Sequence, residues 1–183
     1  MKIKSALCLL LVTTAFAATA QLPEVTDVAY NPATRHVYLL LSPSDWVSAE
    51  AAAVSLGGHL VTINDQAEND WLYNLWGTTA TLMIGLTDAA SEGNFVWTSG
   101  EPFTFSNWTD GEPNNGVGWG QEPENYAFMY SEGFGTPGKW NDTKGLQDIW
   151  PQPELQGVVE ISRPAQGIEH RPVRSWHTER PKR

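Results

Sequence analysis

The chain has 183 residues, 41% hydrophobic and 17% charged, with a formal net charge of −10 at pH 7. Between Gln21 and Ser162 stand 19 acidic and three basic residues (Arg35, Lys139, Lys144), a net charge of −16, whereas six basic and two acidic residues follow Ser162. An acidic body repels phosphates, which excludes nucleic acid as the expected partner and leaves divalent cations compatible.

Lys2 and Lys4 precede an apolar run from Ala6 to about Ala17, and Ala18-Thr19-Ala20 offers a small-residue cleavage site before Gln21. This is the pattern of a secretory leader over residues 1–20 and implies a secreted protein. The run is too short to cross about 30 Å of hydrocarbon, and no later segment approaches that length, so no membrane span is expected. The one cysteine, Cys8, lies in this leader. A secreted domain without a disulfide must be held by its core or by metal, and the composition suits a bacterial origin better than an animal one.

Residues 21–35 read as a lead-in that ends on the turn signal Asn31-Pro32. His36–Leu41 reads as a strand. Ser44 or Asp45 can cap a helix from Trp46, with Trp46, Ala49, Ala53 and Leu56 at helical spacing and Gly57-Gly58 as its stop. His59–Ile63 reads as a short strand. Asn64 can cap a second helix carrying Trp71, Leu72, Leu75 and Trp76 on one face, with Gly77 at its end.

Leu82–Leu86 and Phe95–Trp97 read as core strands. Residues 99–124 are rich in Gly, Pro, Asn and acidic side chains with little hydrophobic period, and a loop of that length in a compact domain is usually functional. Tyr126–Tyr130 and Val158–Ile161 read as later strands. The basic, Pro-containing tail 163–183 is expected to be disordered.

Four motifs stand out in the second half: Met83-Ile84-Gly85-Leu86, Glu112-Pro113-Asn114, Glu124-Asn125 before an apolar strand, and Trp140-Asn141-Asp142. Each is weak alone. Together, in this order and behind two helices, they resemble the C-type lectin-like family over roughly residues 36–162. The resemblance implies an α+β fold, the C-type lectin-like fold, with two helices, small antiparallel sheets and a long Ca²⁺-binding loop.

Carried over by position, the resemblance implies Ca²⁺ as cofactor with Glu112, Asn114, Glu124, Asn141 and Asp142 as metal ligands. Ca²⁺ takes about six to eight oxygens at about 2.3–2.6 Å, and these side chains plus the Asp142 carbonyl supply six. The same resemblance makes Glu112, Asn114, Glu124 and Asn141 sugar-binding residues, because carboxylates accept hydrogen bonds and amides can also donate them. Glu-Pro-Asn order goes with mannose-type sugars in the family, Gln-Pro-Asp with galactose, so mannose-type glycans are the expected carbohydrate partner. A cis Glu112–Pro113 bond is implied as well.

Asp88, Glu92, Asn115 and Asn125 match an auxiliary metal position, but amides stand at two places where carboxylates are usual, so weak binding is expected there. Tyr126 stands where animal members carry a cysteine, and aromatic packing must replace the missing cross-link. The segment after Asn114 is longer than in mannose-binding relatives, and its Trp119 is a candidate to stack on a sugar ring.

Other chemistries fit less well. Asp110, Glu112 and Asn114 echo an EF-hand start, but Asn115 and Gln121 stand where that loop needs Gly and Glu. Glu112 with Glu124 could form a glycosidase pair, yet carboxylates clamped on a cation make poor general acids, so no enzyme is expected. His36, His59, His170 and His177 are too scattered for zinc. The alternative function is a protein-binding or adhesive domain at a cell surface with Ca²⁺ in a structural role. A single shallow sugar site binds weakly and gains from clustering, and no coiled-coil heptads are present to provide it.

Overall fold

The computed structural model describes residues 21–116, 123–145 and 154–162. The expected leader, the tail expected to be disordered and Trp119 lie outside the described residues.

The first described element is a strand within the residues that the sequence reading places in the lead-in. β1 (Val25–Asn31) pairs antiparallel with β2 (His36–Leu41). The turn between them forms at Asn31-Pro32, where the Asn31 side chain accepts the Ala33 N–H and its carbonyl accepts the Arg35 N–H. Helix α1 (Trp46–Ser55) follows, capped by Asp45, whose side chain accepts the Ser48 N–H at 2.8 Å. Trp46, Ala49 and Ala53 are buried as the spacing predicts, and Gly57 leaves the helix with φ 87°.

β3 is only His59–Leu60, although Val61, Thr62 and Ile63 continue it as buried chain. α2 (Gln66–Leu72) is capped by Asp65 and not by Asn64, because the Asp65 carboxylate takes the Glu68 N–H. A π-helical turn over Tyr73–Gly77 then changes the phase of the helix. Leu72 and Trp76 stay buried, while Leu75, expected on the same face, is 38% exposed.

The remaining strands are β4 (Thr81–Thr87), β5 (Val96–Trp97), β6 (Tyr126–Met129), β7 (Trp140–Thr143) and β8 (Leu155–Ile161). The sheet runs β1-β2-β8-β4-β6-β7, with β3 on β8 and β5 on β4. Among the described strands every pairing is antiparallel except β4 with β8, which is parallel, so the expected small antiparallel sheets are one mixed sheet. The reason is topological: β8 returns from the far end of the chain into the middle of the sheet, between β2 and β4.

Two apolar clusters lie on the two faces. One gathers Tyr38, Ile63, Leu72, Trp76, Ile84, Leu86, Trp97 and Trp140, the other Trp46, Ala49, Leu60, Met83, Phe128 and Val159. The Ile84-Gly85-Leu86 motif has a steric cause, since a Cβ on Gly85 would lie 2.3 Å from the Leu60 carbonyl oxygen. Tyr126, where a cysteine was missing, stacks on Trp46 with ring centroids 4.4 Å apart.

The long loop is anchored by its aromatics. Phe105, Trp108 and Trp97 meet the fully buried Trp140 edge-on at 5.6–5.9 Å. Backbone bonds join Trp140 N–H to the Asn107 carbonyl and Thr109 N–H to the Trp140 carbonyl, each at 2.9 Å. The loop therefore leaves β5, docks on β7 and presents residues 110–116 beside Asn141 and Asp142.

Candidate functional site

The site grows from that docking. Asp142, only 2% exposed on β7, accepts the Asn114 N–H on Oδ1 at 3.2 Å and the Asn115 N–H on Oδ2 at 2.7 Å. One carboxylate thus pins the loop to the sheet. The Glu112–Pro113 peptide is cis, and the Asn114 side-chain amide donates to Glu112 Oε1 at 2.8 Å. Asn115, in the left-handed region at φ 55°, accepts the Glu124 N–H on its side-chain oxygen at 2.7 Å. Glu112, Asn114, Asn115, Glu124, Asn141 and Asp142, scattered over 31 positions of sequence, come together at this corner.

The hydrogen bonds do not use all the acceptors. Glu112 Oε2, Asn114 Oδ1 and Asn141 Oδ1 are buried without a partner, and so is Asp88 Oδ1. Seven buried side-chain polar atoms lack a partner among the described residues, and these four oxygens are the majority; the others sit on Trp97, Thr98 and Thr109. A buried acceptor with no donor costs about 1–3 kcal/mol, so a cluster of them points to something that satisfies them together. Among the described residues no three His, Cys, Asp or Glu side chains form a compact metal cluster, so any donor set here must include the amide oxygens.

The carboxyls also perturb each other. Burial pushes Glu112 up to about 7, helped by the neighbouring Asp142 carboxyl and by Glu124. Burial and Asp142 raise Glu124, partly offset by Lys144. Like charges drawn into one partly desolvated corner raise carboxyl pKa values in this way and favour a bound cation.

At the auxiliary position, Asp88 is buried, and its Oδ2 accepts the Gly93 N–H at 2.8 Å. The Asn125 carbonyl lies against it, accepting the Asp88 N–H and the Thr87 hydroxyl. Glu92 is exposed and raised, first by desolvation and then by Asp88. Asn115 is the exception in this set, since its side-chain oxygen already holds the Glu124 N–H.

Tyr130 is a residue of the site that the sequence reading placed only on a strand. Burial raises its hydroxyl, with the Glu112 carboxyl next and the Asn141 side chain acting the other way. Its ring packs on Phe128 and Phe134 at 4.9 and 5.0 Å. The available signal was alternation, which puts Phe128 and Tyr130 on the same side of β6 as Asn141 of β7.

The Lectin C-type domain profile matches residues 42–147, from the end of β2 to just past β7. The chain belongs to the C-type lectin family. It is 38% identical over 125 residues to the low affinity immunoglobulin epsilon Fc receptor of Mus musculus, covering 67% of this chain and 34% of that protein. With the alpha-N-acetylgalactosamine-specific lectin of Patiria pectinifera it shares 40% over 90 residues, 46% of this chain and 50% of the lectin. With the mannose-binding protein of Gallus gallus it shares 38% over 86 residues, 47% and 30% respectively. The chain spans half or less of the length of each of these relatives. All three are animal proteins, which gives no support to the bacterial origin expected from the missing disulfides.

Solved C-type lectin domains share the fold. The carbohydrate-recognition domain of cow CD23, determined in the presence of a GlcNAc2Man3 oligosaccharide, matches with TM-score 0.57 and 28% identity, over 70% of this chain and 89% of that one. The corresponding domain of the human scavenger receptor C-type lectin matches with TM-score 0.60 and 25% identity, over 74% and 96%.

Proposed function

We propose that this domain is a secreted carbohydrate-binding lectin that grips its ligand through Ca²⁺ and prefers mannose-type sugars. The observation that carries this reading is the set of buried, unpartnered oxygens on Glu112, Asn114 and Asn141, beside the carboxylates of Asp142 and Glu124. Those are hard oxygen donors with excess negative charge, the donor chemistry that Ca²⁺ takes. When bound, the ion would offer open positions to two vicinal sugar hydroxyls. Around them Glu112 and Glu124 would accept hydrogen bonds from those hydroxyls, while the Asn114 and Asn141 amides would donate to them.

Mannose-type preference rests on the Glu112-Pro113-Asn114 order. Relatives carry both kinds of name, a mannose-binding protein and an alpha-N-acetylgalactosamine-specific lectin, so names alone do not decide it. Trp119, in the segment after Gly116, is proposed to stack on the sugar. A second ion at Asp88, Glu92, Asn115 and Asn125 would be weak, because two of the four are uncharged amides where carboxylates would supply charge. Relatives and neighbours are named as lectins and receptors, in keeping with a non-enzymatic role.

A protein-binding role is the second reading, favoured by the Fc receptor match, which covers 67% of this chain. A glycan array with and without chelator separates the two. Chelator-sensitive binding to mannose, glucose or N-acetylglucosamine glycans is expected. An array dominated by galactose would overturn the preference, and no glycan binding at all would favour the protein-binding role.

A further inference from the structure

We infer that Tyr130 is a positioning residue for the cation: its hydroxyl holds the NH₂ end of the Asn141 side chain and so turns the Asn141 oxygen into the corner. This role rests on the Ca²⁺ reading above and names what prepares one of the proposed ligands. An amide side chain has two ends of nearly equal shape, one an acceptor and the other a double donor. Its surroundings therefore decide which end points where. On the corner side they favour the wrong end. Glu112 Oε2, Asn114 Oδ1 and Asn141 Oδ1 are all buried without a partner. Turning the Asn141 amide over would bring its N–H groups toward two acceptors that the chain itself leaves unpaired. The oxygen is nevertheless the end that faces inward, so a group on the other side must hold the NH₂.

Tyr130 is placed to do this. β6 and β7 pair with Phe128 opposite Asn141, so Tyr130, two residues on, leaves the same face and lies diagonal to Asn141. Diagonal neighbours on a sheet are within reach of an aromatic side chain. The Tyr130 hydroxyl bonds with the Asn141 side chain, and the Glu112 carboxyl is the nearest charge around it. That charge draws the hydroxyl hydrogen and leaves the oxygen lone pairs for the amide. One Asn141 N–H is used in this way, and the second remains for a sugar hydroxyl.

The ring itself is held on several sides. Phe128 and Phe134 meet it edge-on at 4.9 and 5.0 Å. Gly135, at φ 62°, passes so close that a Cβ there would lie 2.3 Å from the ring. The Tyr130 N–H donates to the Lys139 carbonyl at 2.8 Å, and the Gly138 N–H donates to the Tyr130 carbonyl at 3.0 Å. The turn between β6 and β7 thus closes over the ring. A ring packed in this way delivers its oxygen to one place, as the support of a ligand requires.

Tyr130→Phe tests the inference, because it keeps the ring and removes only the oxygen. Calorimetry should show Ca²⁺ affinity about tenfold weaker in the variant, while thermal melting confirms that the fold is kept. Asn141→Asp supplies the control, since a carboxylate has two equivalent oxygens and needs no orienting. In that background Tyr130→Phe should change Ca²⁺ affinity by less than about twofold. In chelator-treated protein, the Asn141 side-chain NH₂ should exchange with solvent faster in Tyr130→Phe, measured by nuclear magnetic resonance. Ca²⁺ affinity unchanged in Tyr130→Phe, an equal loss in both backgrounds, or unchanged NH₂ exchange would each overturn the inference and leave the Ca²⁺ reading standing. No Ca²⁺ binding by the unaltered protein would overturn both.

Discussion

Two buried polar clusters lie on this fold, and they differ in one respect. Under the helices, Glu68 and Glu160 are 4% and 8% exposed, yet every oxygen is engaged. Glu68 accepts the Tyr38 hydroxyl at 2.6 Å and the Asn64 N–H; Glu160 accepts His36 Nδ1 at 2.5 Å and the Thr62 N–H. At the loop corner, Glu112, Asn114 and Asn141 each keep an oxygen without a partner. The first cluster joins β2, β3, β8 and α2. The second holds acceptors in reserve. Buried polar groups that serve the fold are satisfied by it, and those that serve a ligand are satisfied only when it arrives.

Substitutions should separate the two regions. The largest effect belongs to Trp140→Ala, which removes the ring on which Trp97, Phe105 and Trp108 pack and should destabilise the protein by about 3–5 kcal/mol in urea unfolding. Asp142→Ala should weaken Ca²⁺ and sugar binding by more than about 100-fold in calorimetry, since it deletes a proposed ligand and frees the Asn114 and Asn115 N–H groups together. Tyr38→Phe should cost about 1–3 kcal/mol of stability while leaving sugar affinity unchanged. A loss of sugar binding in Tyr38→Phe would break the division between the clusters.

The pH dependence sharpens it. Glu112 titrates near 7 in the metal-free protein, above its ordinary value of 4.5. A raised carboxyl pKa means that folding favours the protonated form. The stability it contributes is therefore full below about 4.5 and lost as pH rises through about 7. Ca²⁺ needs the ionised form, so its affinity should fall by up to about tenfold per unit as pH drops below 7, with proton release on binding. Titrations in buffers of different ionisation enthalpy measure that release. The smallest effect expected is at Asn115→Ala, which removes the cap on the Glu124 N–H and should weaken Ca²⁺ binding only a few-fold.

How much of this was legible in the sequence varies by region. The helices, the Gly85 strand and the order of the site motifs were readable because each carries a local cause: a cap, a close approach, or a donor spacing. β1 was not, because an edge strand with Val28 and Tyr30 facing outward shows no buried face to betray it. Leu75 misled because the π-helical turn inserts residues that a 3.6-residue period does not allow for. The choice of Asp65 over Asn64 as cap lay between adjacent residues of equal propensity. The parallel β4–β8 pairing is a property of topology and leaves no local trace. At the site, the candidate residues come from family resemblance and stand as a proposal, whereas the unpaired oxygens on Glu112, Asn114 and Asn141 and the place of Tyr130 beside Asn141 required three strands and a loop to be assembled.

The most direct test of the central claim is calorimetric titration of Ca²⁺ into chelator-treated protein, followed by mannose, with Asp142→Ala alongside. Ca²⁺ binding that enables a mannose heat, both lost in Asp142→Ala, is the expected result. Mannose binding of equal affinity in the presence of chelator, or no Ca²⁺ binding by the unaltered protein, would contradict it.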